Sequence, residues 1–272
     1  MITKMILEAH VTIGDRQARY LEAGTGWPVV LIHAFPLNAD MWRPQLERVP
    51  AGWRLIAPDL RGFGPSSAST ARAATVDDYA DDVAVLLDRL HIDRAIIGGL
   101  SMGGYVTFAL FRRSPGRFSG LILADTKSSA DTPEGREGRR NMSELALASG
   151  ASAVADQMLP KLLGAASRSA RPELESHVRH MIESTSVQAI TGALEALSSR
   201  PDSTPDLARI AYPALIVVGA EDVLTPPADA EAMARGIARS SLVVVPEAGH
   251  LSNLESPEAF SKALADFLAS SL

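Results

Sequence analysis

The stretch Ile96-Ile97-Gly98-Gly99-Leu100-Ser101-Met102-Gly103-Gly104 decides how this chain is read. An apolar run leads into a Gly-x-Ser-x-Gly pentapeptide, and a helix-like segment, 105–113, follows it. The pattern predicts a sharp turn from a buried strand into a helix, with the Ser101 hydroxyl at its apex. So tight an elbow leaves little room beside the serine, which is why glycines stand two residues to either side. The helix start behind Ser101 offers unpaired N–H groups and the positive end of a dipole, both favourable where negative charge develops. Alone the pentapeptide is a weak signal; its strand–turn–helix setting gives it weight.

Outward from this point lie further short, continuous apolar runs at 29–32, 54–57, 95–97, 121–124, 214–218 and 242–245. Parallel strands covered on both faces read this way, whereas half-exposed strands alternate. Helical patterns separate them at 76–90, 105–113, 229–239 and 257–268. The first opens on Thr75 with Asp77 and Asp78 in its first turn, a sound cap. Ahead of these, Leu7–Ile13 and residues 17–22 flank the turn pair Gly14-Asp15 and predict an antiparallel hairpin. Alternating strand and helix implies a doubly wound α/β sheet. The alternation stops between about Ser128 and Pro205, where four helical segments replace it: 134–149, 152–163, 172–183 and 187–197. The expected organisation is an α/β core domain, residues 1–127 and 206–272, with residues 128–205 as a helical cap insertion over the strand ends.

Composition narrows the function classes. With 46% hydrophobic and 21% charged residues, 272 residues can bury a sizeable core, as soluble enzymes do. A net charge of −6 supplies no basic stripe, so nucleic acid is not expected as a partner. The chain has no cysteine, which removes disulfides, thiolate metal sites and cysteine nucleophiles and suits a cytoplasmic protein. Glu8 interrupts the N-terminal apolar residues before a signal peptide could form, and no apolar run reaches the ~18–20 residues that span a bilayer. An unexported protein without a membrane partner is expected; nothing in the sequence fixes the oligomeric state.

A serine nucleophile needs a neutral base within hydrogen-bond reach and a carboxylate to hold the base in the right tautomer. In open α/β sheets these groups come from loops at the carboxyl ends of strands. Three such loops stand out: one carries Ser101, one carries Glu221 and Asp222, and one carries His250. Among six histidines, His10, His91, His177 and His180 fall in the hairpin, at a helix end and in the insertion. His177-x-x-His180 has no third ligand in view, so no metal is expected. His33 stands too early in its loop to be the base and reads as a brace beside the substrate. For the acid, Asp222 bends away immediately after a strand and is preferred over Asp125 and Glu221. The oxyanion would need two backbone donors: Met102 N–H at the helix start, and Phe35 N–H in His33-Ala34-Phe35-Pro36.

These segments resemble the α/β-hydrolase fold family over essentially the whole chain. Matching stretches are His33-Ala34-Phe35-Pro36, Asp59-Leu60-Arg61-Gly62-Phe63-Gly64-Pro65-Ser66, Gly99-Leu100-Ser101-Met102-Gly103-Gly104, Gly219-Ala220-Glu221-Asp222 and Ala248-Gly249-His250. The resemblance implies an eight-stranded, mostly parallel sheet with helices on both faces, a helical cap, and a serine mechanism without cofactor. Thr225-Pro226-Pro227 and the run from Ala248 to Glu258 are similar to 3-oxoadipate enol-lactonases and the carboxylesterases grouped with them. One departure stands out: the family's loop usually reads His-Gly-x-Pro, and Ala34 replaces the glycine. Alanine suits positive φ poorly, so a slightly different loop shape is expected.

The function expected is a serine carboxylic ester hydrolase acting on small to medium acyl esters, with an ester or lactone as its small-molecule partner. A histidine base predicts a rate that falls with pH near ~6–7, where an ordinary histidine protonates. Enol-lactone hydrolysis is the alternative; a perhydrolase, or a receptor that turns its ligand over slowly, would use the same triad. Substrate choice should lie in the insertion, where Met142, Leu145, Leu147, Met158, Leu159 and Leu162 are candidates for an apolar acyl pocket. Arg136, Arg139 and Arg140 are candidates for a carboxylate clamp, as an enol-lactonase would require.

Overall fold

The computed structural model describes residues 4–64, 73 and 75–271; Pro65 and Ser66 of the matching stretch lie outside them. Eight strands form one sheet: β1 (Leu7–Ile13), β2 (Arg16–Gly24), β3 (Trp27–Ile32), β4 (Trp53–Pro58), β5 (Ala95–Leu100), β6 (Phe118–Ala124), β7 (Ala214–Gly219) and β8 (Ser240–Val245). Their spatial order is β1-β2-β4-β3-β5-β6-β7-β8. β1 pairs antiparallel with β2, and β2 antiparallel with β4; every later pairing is parallel. The two-residue turn at Gly14-Asp15 closes the hairpin, with Gly14 at φ 61°. β5 and β7 are buried along their whole length, as their unbroken apolar character requires.

Among the described residues, ten α-helices follow in chain order. They are α1 (Arg43–Leu46), α2 (Val76–Arg89), α3 (Met102–Arg113), α4 (Pro133–Leu162), α5 (Ala165–Ala170), α6 (Pro172–Glu183), α7 (Val187–Ser198), α8 (Pro227–Gly236), α9 (Ser252–Glu255) and α10 (Pro257–Ala269). They cover the sheet in groups, α2 packing on α3, and α10 on α1 and α9. A capping box starts α2: the Thr75 hydroxyl accepts from Asp78 N–H, while the Asp78 carboxylate accepts from Thr75 N–H. Between β6 and β7 the described chain is helical, and α4 packs against α6 and α7. Gly150, at φ 78°, breaks α4 into two helical halves. Among the described residues, no helix is long and apolar enough to cross a membrane.

Two expectations shift. The helical pattern over 229–239 ends at Gly236 instead, because Gly236 packs on Leu207 and Ile237 turns extended. The run 242–245 reads as a strand buried on both faces, yet β8 is an edge strand whose Val244 is 45% exposed. Apolar character alone does not distinguish a central strand from an edge one.

Glycines set the depth of the serine elbow. A Cβ on Gly103 would lie 2.2 Å from Ile32 O, and one on Gly98 would lie 2.0 Å from Ile122 O. Helix α3 therefore touches the end of β3 backbone to backbone. Gly103→Ala should lower stability by about 3 kcal/mol or prevent soluble folding, since backbone atoms cannot step aside as a flexible side chain can. A thermal melt checks this; an unchanged midpoint would mean that the close approach is not needed.

Candidate active site

Ser101 sits between β5 and α3 at φ 55° and ψ −111°, a conformation that L-residues seldom take. Its neighbours hold it there. Ser101 N–H donates to Ala124 O at 2.9 Å, Ser101 O accepts from Gly104 N–H at 2.9 Å, and the Thr126 hydroxyl donates to the same carbonyl at 2.8 Å. The side chain is left half-buried, facing a cavity of about 410 Å³. Met102 is the first helical residue, so its N–H has no acceptor within α3. Phe35 N–H donates to no group among the described residues, and Phe35 borders the same cavity.

His250 and Asp222 come from the loops that leave β8 and β7. His250 Nδ1 lies 2.8 Å from Asp222 Oδ2, and both side chains are buried. Asp222 is held from its own loop: Oδ1 accepts from Leu224 N–H at 2.8 Å and Thr225 N–H at 3.1 Å, and Oδ2 accepts from the Thr225 hydroxyl at 2.7 Å. Burial works to raise the Asp222 carboxyl, but the His250 ring and the Thr225 hydroxyl and amide outweigh it and hold the group below the usual range. A carboxylate accepting at Nδ1 leaves the other ring nitrogen free to face the cavity as a base. Ser101, His250 and Thr225 all border that cavity.

The rival acids are elsewhere. Asp125 follows β6 and ties two neighbouring segments together: it accepts from Gly219 N–H at 2.8 Å and from the Ser252 hydroxyl. Burial first, and then the charge of Asp222, push its carboxyl well above the ordinary range. Glu221 is exposed, and its carboxylate lies beside Gly164 with no hydrogen bond to His250 among the described residues.

His33 does not reach the cavity. It is fully buried, with Nδ1 2.9 Å from Ala34 O and Nε2 accepting from Leu60 N–H at 3.0 Å. It braces the loop that carries Phe35, and Ala34 sits in that loop without positive φ, so alanine causes no left-handed strain there. Burial pulls His33 from 6.5 to about 4. Between those values the unfolded chain binds a proton that the folded chain refuses. The contribution of His33 to stability is therefore complete above pH 6.5 and is lost as pH falls toward 4. Asp59, pushed up to about 6 by burial, acts oppositely in the same range and masks part of the loss. Acidification from pH 7 to 4.5 should cost the wild type about 2 kcal/mol more than His33→Gln. Urea titrations at the two pH values test this, and equal losses would remove His33 as the cause.

Of the side chains expected to choose substrate, Arg139, Met142, Met158 and Leu162 border the cavity, all from α4. Leu145 and Arg140 do not. Arg140 pairs with Glu137 on the exposed side of the helix, and Leu145 stands on a part of α4 directed elsewhere. Arg139 is tied to Asp131, which also pairs with Arg200 at 2.8 Å; Arg200 in turn stacks over the Tyr105 ring, 4.0 Å from its centroid.

Sequence reasoning passed over three features. Thr225, three residues after Asp222, is a polar side chain able to reach back to its loop's carboxylate, a signal that was readable. Lys127 and Lys161 also border the cavity, one from the loop after β6 and one from the last turn of α4. Glu255 is buried and bridges two elements: one oxygen accepts from Gly249 N–H at 2.9 Å, beside His250, and the other from Gly164 N–H at 2.8 Å, just past α4. Leu251 N–H adds a bond to Leu162 O at 3.1 Å. Among the described residues, no group of three or more acidic or histidine side chains is placed to hold a metal ion.

Sheet order, a serine in a strained strand-to-helix elbow, and an Asp–His pair at neighbouring strand ends define the α/β hydrolases. The chain belongs to the alpha/beta hydrolase fold family, whose model matches residues 28–257. It is 30% identical to 3-oxoadipate enol-lactonase 2 of Acinetobacter baylyi over 87% of this chain and 86% of that protein. Among solved structures, a malate-bound thermophilic esterase from Thermogutta terrifontis superposes with a TM-score of 0.92 at 38% identity, covering 97% of this chain and 99% of the other. The enol-lactonase from Burkholderia xenovorans LB400 superposes with a TM-score of 0.88 at 28% identity, covering 96% and 100%.

Proposed function

We propose that the protein is a serine carboxylic ester hydrolase in which Ser101, His250 and Asp222 form the catalytic triad. The observation that carries this reading is the Asp222–His250 pair at 2.8 Å opening on the cavity that Ser101 faces. Ser101 Oγ attacks the ester carbonyl as His250 takes its proton, giving a tetrahedral oxyanion that the Phe35 and Met102 amides stabilise. Collapse expels the alcohol, which leaves with the proton from His250, and an acyl-enzyme remains. Water, deprotonated by His250, attacks the acyl carbon; release of the acid returns the proton to Ser101. Asp222 keeps the imidazole in one tautomer and offsets the charge it gains. Residues 128–205 serve as the cap that closes the substrate cavity. At about 410 Å³ the cavity suits a small to medium ester.

Lactone hydrolysis is the second reading, favoured by the likeness to two proteins named as enol-lactonases. It uses the same steps, with the alcohol held in the acyl chain. Initial rates on p-nitrophenyl acetate, butyrate and octanoate beside an enol-lactone separate the two. Fast ester turnover supports the first reading; slow ester turnover with fast ring opening moves the assignment to the second. No turnover of any of them would overturn both.

A further inference from the structure

We propose that Lys127 and Lys161 give the cavity a carboxylate-recognising edge, so that the substrate is an ester carrying a second, ionised carboxylate away from the scissile bond. The inference rests on the hydrolase reading and adds its substrate class. The chain as a whole is anionic, at −6, yet the charged residues bordering the cavity are Lys127, Arg139, Lys161 and a single acid, Asp131. That acid is already committed, because Arg139 and Arg200 both pair with it. Neither lysine ammonium forms an ion pair with a carboxylate among the described residues. Asp229, on α8, is the acid in electrostatic reach of Lys127. A protein of this net charge repels anions at long range, so a local excess of cations at the catalytic cavity favours an anionic ligand there over the rest of the surface.

The placement also selects the form of the ligand. Lys161 is exposed and Lys127 half-buried, so both stay hydrated and act as point charges and not as a rigid bidentate fork. Met142, Met158, Leu162, Leu194 and Leu224 provide apolar wall in the same cavity as the lysines and the serine. A short dicarboxylic hemiester meets both demands, with its methylene chain on the apolar wall and its free carboxylate at the lysines. The arginines expected from sequence to make such a clamp do not supply it: Arg139 is bound to Asp131, and Arg140 lies off the cavity.

The test compares mono-p-nitrophenyl glutarate with p-nitrophenyl pentanoate, a neutral ester of similar length. In the wild type, raising the salt concentration should lower kcat/KM for the glutarate ester and leave the pentanoate value nearly constant. The Lys127→Ala/Lys161→Ala double variant should lower the glutarate-to-pentanoate ratio of kcat/KM about tenfold, ~1.4 kcal/mol, while Lys262→Ala, at an exposed position of α10, should not change it. A ratio unaffected by the double substitution would overturn the proposal. Calorimetric titration of glutarate into Ser101→Ala protein, with and without the two lysines, needs no turnover. Weaker binding without the lysines supports the carboxylate edge, and equal binding sinks it. If neither ester is cleaved, the hydrolase reading fails while this titration still decides the lysines.

Discussion

Ser101→Ala is expected to lower kcat for p-nitrophenyl butyrate by about 10⁵–10⁶-fold, leaving only what the oxyanion donors and binding supply. The size follows from the role: without Oγ there is no acyl-enzyme, and His250 has only water to activate. The fold should not suffer, because the contacts that fix this residue run through its backbone, to Ala124 O, Gly104 N–H and the Thr126 hydroxyl. The melting temperature of the variant should therefore not fall. A fluorophosphonate offers a separate check: its phosphorus bonds to Ser101 Oγ, fluoride leaves, and the mass is retained on the peptide containing Ser101. A variant that keeps a tenth or more of wild-type turnover, or wild-type protein labelled at another residue, would exclude Ser101 as the nucleophile.

Asp222→Asn should cost about 10⁴-fold in kcat while leaving the structure in place. The side-chain oxygen that accepts from Leu224 and Thr225 amides can stay where it is. The other oxygen becomes an NH₂, which meets His250 Nδ1 with a donor and pulls the imidazole into the wrong tautomer. Asp125→Asn makes the contrasting measurement. Asp125 binds Gly219 N–H and the Ser252 hydroxyl and not His250, so its replacement should act on stability far more than on rate. Comparable losses of kcat in the two variants would mean that the acid has been misassigned. Since Asp222 is held below the ordinary carboxylate range, it stays ionised as the pH falls, and an acid limb in the rate profile belongs to another group.

Legibility in the sequence followed the scale of the interaction. The strand–helix alternation, the hairpin at Gly14-Asp15 and the serine elbow rest on local patterns of apolar residues and glycines, and each was readable. Edge position was not, because pairing partners decide whether 242–245 is covered, and four apolar residues look alike in either place. Arg139 was legible as a charge but not as a tied one: Asp131 lies eight residues earlier, and Arg200 far along the chain completes the cluster. Lys127 and Lys161 come from the ends of different elements and meet one cavity only after folding. Loops at strand ends announce themselves through order and spacing, whereas the wall of a cavity is assembled from long-range contacts that leave no periodic trace.

Glu255 binds the amide beside His250 with one oxygen and the amide just past α4 with the other. Over evolutionary time this makes the two ends of α4 unequal places for change. Near Gly164, a substitution that shifts the end of α4 also disturbs the Gly249–His250 loop through Glu255, so a change in the cavity wall there reaches the histidine as well. Beyond the break at Gly150, Leu145 and the 70% exposed Leu147 stand off the cavity and are free to drift, whereas Arg139 and Met142 of the same half border it and are not.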